Sequence, residues 1–319
     1  MSSTAVPGPV GRPRGRRLSF YKRENWQALI FIAPAVLLLG VLVLYPLINT
    51  VILSLANTNG RLQITRWVGF DNYKTLFTED KDFLNLDAFP PEGALINNLK
   101  WVVLYTSFSL ALGLLIAVLA ARVRYESYIK AIIFVPMAIS ATAVAIIWKF
   151  VYDPDPDIGS LNAVISAFGA DPIAWYGRAD VVNYALIFAY VWASTGFAMV
   201  VLSAALKGIS EEVIEAARTD GASEWDIFRR IQLPLLSLPL AVVTVWLLIN
   251  VIKLFDIIYV MTGGGPGAAS EVIAFTMYDE TFQNGEGGYG AAVAVVMLLL
   301  IIPIMAFNIR RFRSERVTG

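Results

Sequence analysis

Apolar residues in this chain come in long blocks separated by shorter polar ones. Six blocks reach or approach the roughly 20 residues that a membrane-crossing helix needs: Trp26 to Leu55, Leu95 to Ala121, Ala131 to Val151, Val181 to Leu206, Leu238 to Thr262 and Tyr289 to Asn308. The first carries no charge between Glu24 and Arg61, so it can span with tilt to spare. A cleaved signal peptide has an apolar run of only about 7–15 residues and a small-residue cleavage site. This block is longer and no A-x-A follows it, which favours a retained helix. Pro34, Pro46, Pro136 and Pro303 predict kinks, which neighbours in a bundle accommodate. The pattern predicts an all-α integral membrane protein with six transmembrane helices.

The polar blocks alternate in charge. Arg12, Arg14, Arg16, Arg17, Lys22 and Arg23 precede the first helix, and Arg122, Arg124 and Lys130 lie between the second and third. Lys207, Arg218, Arg229 and Arg230 lie between the fourth and fifth, and Arg310, Arg311, Arg313 and Arg316 follow the sixth. The intervening loops hold only Arg61, Arg66, Lys74, Lys81 and Arg178. The positive-inside rule then puts both termini in the cytoplasm of a cell-membrane protein. The predicted organisation is a basic, disordered tail over 1–25, a first helix with a long outer loop over 26–94, a five-helix core over 95–309 and a basic tail over 310–319. The Pro/Gly/Arg-rich first tail reads as an orientation signal attracted to anionic headgroups.

Composition supports the membrane reading, with 57% hydrophobic and 16% charged residues against roughly 25% charged in soluble domains. There is no Cys and no His, which removes thiol chemistry and every Ser-His or Cys-His nucleophile system. No metal site, cofactor or nucleic-acid partner is expected.

The most polar helical segment, within 207–238, lies on the predicted cytoplasmic side between two uncharged stretches. Ser210 is placed to cap a helix over Glu211 to Thr219, with Glu211 and Glu212 at its positive end. Asp220-Gly221 breaks that helix, because Gly accepts the left-handed conformation that ends helices. Ser223 with Asp226 three residues later starts a second helix as a capping box. Trp225, Phe228 and Gln232 share one face of it, and Pro234 and Pro239 end the segment. The expected shape is a helix–turn–helix elbow, with Ala216 and Ala217 small enough for a partner to approach closely. An amphipathic loop resting on headgroups is the alternative.

Glu215-Ala216-Ala217, Gly221 six residues after the Glu, Ile231 ten further on, then Leu233-Pro234 resemble the EAA loop of ABC-importer permeases. "GFDNYKTLF" (Gly69 to Phe77) and "FDIIYVMTGGGP" (Phe255 to Pro266) are similar to the carbohydrate-uptake branch of these type I permeases. "YVWASTGFAMVVLSAALKGI" (Tyr190 to Ile209) is most similar to the alpha-glucoside permeases. The resemblance covers Leu29 to Phe312. It implies a type I ABC importer permease fold and a coupling helix around Glu215, Ala216, Ala217, Asp220, Gly221, Ile231, Leu233 and Pro234 that seats in a cytoplasmic ATPase. It also implies partners: two ATPase copies, a second permease and an extracytoplasmic sugar-binding protein.

The chain contains no G-x-x-x-x-G-K-[ST], so it has no phosphate-cradling loop of its own. "TGGGPGAAS" (Thr262 to Ser270) lacks the Lys and reads as a turn at a helix end. In the fifth helix Asn250, Lys253 and Asp256 recur every three residues, with Tyr259 three further on. On one continuous helix they share a face, which suits a sugar path of polar and aromatic groups. A structural Lys253–Asp256 ion pair is the other reading. Trp192, with Ser194 and Thr195, is a further candidate for the path. Trp148-Lys149 reads as an interfacial anchor. An ion-gradient-driven transporter is the rival function, but it calls for carboxylates deep in the helices. An intramembrane protease of the rhomboid kind lacks its His here.

Overall fold

The structure is a computed structural model and describes residues 21–318; the tail over residues 1–20 and Gly319 lie outside them. The chain divides into two units, Met1–Asn49 and Thr50–Gly319. α1 (Tyr21–Leu39), in the first unit, contains Pro34 and continues through a π-helical turn, Gly40–Leu44, into α2 (Tyr45–Leu53), whose residues 50–53 fall in the second unit. The wider turn precedes Pro46, which has no amide hydrogen to continue the ladder. Ile30–Leu53 is long and apolar enough to cross a membrane.

In the second unit three more helices qualify: α4 (Ala94–Ala120), α8 (Val182–Lys207), and the Gly287–Ala306 part of α15 (Gly287–Thr318). Two expected spans are bent pairs. α5 (Glu126–Phe134) passes through a 3-10 turn at Val135–Ala138 and meets α6 (Ala141–Val151) at 100°. Pro136 was expected to kink this span; the outcome is a full break, with Ile139 extended and Ser140 capping α6. The other pair, Glu224–Leu235 and Ser237–Ile252, bends by 67°. Counting each pair once gives six crossings among the described residues.

Two glycines set the packing. A Cβ on Gly113 of α4 would lie 2.5 Å from Ala198 Cβ of α8, and one on Gly196 would lie 2.6 Å from the Ile133 carbonyl oxygen. These two positions let α8 touch α4 on one side and the bent third span on the other, with α8 central to the main apolar core.

Beyond the helix ends opposite the basic loops lies a cap that the all-α expectation did not include in full. A short antiparallel hairpin pairs β1 (Ala56–Thr58) with β2 (Ile64–Trp67). α3 (Asp71–Thr78) follows it, and α7 (Ser160–Ala167) lies in the next loop on that side. The "GFDNYKTLF" stretch now has a structural account. Asn72 donates to the Ser54 and Ala56 carbonyls at 3.0 and 3.2 Å, and the Tyr73 hydroxyl meets Ser54 at 2.7 Å. They satisfy chain polar groups where α2 ends. A second small core of Leu76, Phe83, Ala94, Ile273, Val293 and Val296 lies under the cap.

Candidate functional site

At the basic end, α9 (Glu211–Thr219) has the expected bounds, and none of its residues is buried. Ser210 occupies the cap position without making the cap hydrogen bond. Gly221 has φ +84°, and a Cβ there would meet nothing within 4 Å, so only its backbone conformation demands glycine. The Ala222 amide reaches back to the Ala217 carbonyl at 3.0 Å and closes the turn. Ser223 accepts from the Asp226 amide at 3.1 Å and opens α10 (Glu224–Ile227). The Asp226 carboxylate in turn takes the Ser223 hydroxyl at 2.6 Å. The chain stays helical through a π turn, Phe228–Gln232, into α11 (Leu233–Leu235), then bends at Leu236. Pro234 therefore sits inside the helical run; the bend follows it.

Ion pairs tie this elbow to its neighbours. Glu224 accepts from Arg218 of α9 at 2.9 Å and, through its other oxygen, from Arg122 beyond the end of α4 at 3.0 Å. Arg230 pairs with Asp226 at 3.3 Å. Glu126 at the start of α5 holds both Lys130 and Lys207, the last residue of α8. Glu215, Ala216, Asp220 and Pro234 are exposed, while Ala217, Ile231 and Leu233 are half-buried. Trp225 stays 65% exposed and leans on Phe228, their ring centroids 5.6 Å apart. A cleft of about 330 Å³ opens beside the turn, lined by Asp220, Gly221, Ala222, Asp226, Arg230 and Ile231.

The fifth span corrects the second candidate site. α12 (Ser237–Ile252) stops at Lys253, and α13 (Asp256–Met261) starts afresh after a three-residue break. Asn250, Lys253, Asp256 and Tyr259 do not lie along one continuous helix. Lys253, Asp256 and Tyr259 are nevertheless all exposed, and Asn250 is half-buried with its amide donating to the Trp246 carbonyl at 2.8 Å. Among the described residues neither Lys253 nor Asp256 forms an ion pair. Trp192 is not brought to this group. It lines a separate apolar groove of about 310 Å³ with Leu112, Ile132, Pro136 and Phe188, where Thr195 bonds back to the Val191 carbonyl. Trp148 is 8% exposed and packs its ring on Tyr152, Phe188 and Trp192, so it belongs to the core and only Lys149 is exposed.

Three buried asparagines, one bonded beside the break and two to the glycine-rich turn, were missed by sequence reasoning. Asn98 donates to the Val251 carbonyl at 3.2 Å and accepts from the Ile273 amide at 2.7 Å, at the start of α14 (Ile273–Tyr278). Asn97 donates to the Ala269 and Glu271 carbonyls, both at 2.9 Å, and Asn183 reaches Ala269 at 2.7 Å. The glycine-rich segment is the compact turn expected of it, with Ser270 donating to Gly265 at 2.6 Å. Adjacent polar residues inside an apolar block, Asn97-Asn98, were the available signal. Glu271 lies half-buried beside this turn. Burial, with the carboxylates of Asp82, Asp279 and Asp80 facing it, pushes it up to about 7.

Up to six apolar crossings and an exposed elbow on the basic end are the architecture of a multi-span membrane protein. Residues 109–310 match the model of the binding-protein-dependent transport system inner membrane component. The chain belongs to that family. It is 46% identical to the osmoprotective compounds uptake permease protein GgtC of Synechocystis sp., over 90% of this chain and 99% of that one. It is 40% identical to the alpha-glucoside transport system permease protein AglF of Rhizobium meliloti, over 90% and 82%. Its fold matches a chain of a bacterial alginate ABC transporter, crystallised with an alginate pentasaccharide-bound periplasmic protein. The TM-score is 0.75 at 22% identity, covering 95% of this chain and 99% of that chain.

Proposed function

We propose that this chain is one permease subunit of an ATP-binding-cassette importer that moves an alpha-glucoside or another oligosaccharide into the cytoplasm. The observation that carries the reading is the elbow: a helix with no buried residue, turned by Gly221 and carried on the ends of two membrane helices. Such an element is exposed because a partner covers it. The partner is the ATPase subunit, present in two copies, and Glu215 supplies a charged contact to it. Glu224, gripped by Arg218 and Arg122, makes the elbow move with the end of α4. ATP-driven closure of the ATPase pair then rocks the helices between outward- and inward-open states. A second permease completes the pore and an extracytoplasmic binding protein delivers the sugar. Both termini and the elbow are cytoplasmic, as the basic loops indicate. The sugar passes Asn250, Lys253, Asp256 and Tyr259; Trp192, facing its apolar groove, is left out.

The rival, an ion-gradient-driven transporter, has no use for such an elbow. The test is uptake of labelled alpha-glucosides into proteoliposomes holding the assembled complex. Uptake should require ATP and survive ionophores, and Glu215→Ala should weaken ATPase co-purification about fivefold. Uptake that ignores ATP and collapses with ionophores would reverse the assignment.

A further inference from the structure

The rings around the break in the fifth span form one connected wall. Phe255 stacks on Tyr259 with centroids 5.2 Å apart, and Tyr278 meets them at 4.9 and 5.4 Å. Phe282, in the π turn Asp279–Gln283, continues the wall at 5.4 Å from Tyr278. At its foot lies a cavity of about 240 Å³ lined by Lys253, Phe255, Ala274, Met277, Tyr278 and Met297. Tyr259 and Phe282 are 47% and 64% exposed.

Two ordinary explanations for these rings fit poorly. Core aromatics are covered, as Trp101 and Tyr105 are at 0% exposed, yet two members of this wall stand open. Lipid is a poor neighbour as well, because Lys253 shares the cavity and has no ion-pair partner among the described residues. An unpaired ammonium at the level of a membrane helix faces water or a polar ligand.

The geometry points to a stacking track for the pyranose rings of an oligosaccharide, formed by Phe255, Tyr259, Tyr278 and Phe282. A pyranose has one face of C–H groups that lies flat on an aromatic face, and a rim of hydroxyls that needs donors and acceptors. Tyr259 and Phe282 supply the open faces, with the half-buried Phe255 and Tyr278 packed between them. Lys253 supplies a donor at the foot and the exposed Asp256, three residues along the chain, an acceptor, so a neutral sugar suits them better than an anion, which the carboxylate would repel. Rings succeeding one another over four residues suit a chain of at least two sugars, while a monosaccharide engages only the foot. The track rests on the reading of this chain as a sugar importer subunit, and it extends that reading to residues outside the fifth helix.

The experiment uses the complete importer in proteoliposomes, with the binding protein saturating and labelled glucose, maltose, trehalose and maltotriose as probes. If wild type accumulates none of them in an ATP-dependent way, the sugar reading fails and the track fails with it. Given uptake, Tyr278→Leu and Phe282→Leu should each slow the longest transported probe about fivefold. The slowing for glucose, where glucose is transported, should be smaller, and Tyr278→Phe should restore most of the rate. Phe282 is exposed, so its replacement tests the track without disturbing the core. Wild-type rates in both Leu variants overturn the track while leaving the sugar reading intact. Loss of the second permease from purified Phe282→Leu complex overturns it in favour of a subunit interface.

Discussion

The elbow and the break in the fifth span are both interruptions of helix, and they are held in opposite ways. The elbow is stabilised mainly by neighbours in sequence. Ser223 caps the third residue after it, and Gly221 turns by its own φ. Its links to Arg218 and Arg122 are exposed ion pairs, of a kind worth about 0–1 kcal/mol each. The break is held from afar. Asn98 reaches Val251 and Ile273, 153 and 175 positions along the chain, through buried hydrogen bonds. An interruption that water can solvate needs only local chemistry. One inside a packed bundle must find partners for every freed amide and carbonyl. The elbow is thus suited to follow a partner, and the break to keep its shape while doing so.

The difference predicts a ranked set of outcomes. Asn98→Leu should have the largest effect on stability. It strands the buried Ile273 amide, while the Val251 carbonyl keeps the Leu254 amide at 3.2 Å, at a cost of about 1–3 kcal/mol for one buried group. Thermal unfolding of the purified protein in detergent should show it, and an unchanged midpoint would mean that the break holds itself. Gly221→Val comes next. It forces a β-branched residue to φ +84°, at a cost of about 1–2 kcal/mol. Because the elbow is solvated and peripheral, the global unfolding midpoint should hardly move while ATPase co-purification falls steeply. Gly221→Asn, which tolerates the left-handed region, should recover much of the association. Equal loss with Asn and Val would shift the cause from backbone to side-chain bulk.

The smallest effect concerns Glu271, next to the asparagine-held turn. Its folded value, up to about 7 from an ordinary 4.5, means that the folded protein retains this proton more tightly than the unfolded chain. The stabilisation is present below about pH 4.5 and is lost as pH rises through about 7. Between pH 5 and 8 the wild type should therefore lose more thermal stability than Glu271→Gln, whose amide does not titrate. Identical pH dependence in the two proteins would remove Glu271 from the balance.

The sequence by itself determined what depends on near neighbours. Six apolar blocks are read from the cost of burying charge in lipid, and the bounds of α9 follow from Ser210, Glu211 and Asp220-Gly221. The Ser223 cap and the left-handed Gly221 are equally local, because a helix end is decided within one turn of chain. Residue spacing around Glu215 also made the family legible. Tertiary structure alone decided the 100° bend at Ile139–Ser140, after Pro136, and the break at Lys253. A proline reads as a kink, and nothing within the blocks distinguishes a kinked helix from a broken one. That choice belongs to distant groups packed on the interrupted backbone: Asn98, which donates to the Val251 carbonyl, and Gly196, whose missing side chain admits the backbone at Ile133. The aromatic wall has the same origin. Phe255 and Tyr278 lie in different elements, and they meet across the glycine-rich turn that Asn97 and Asn183 bond to the helices.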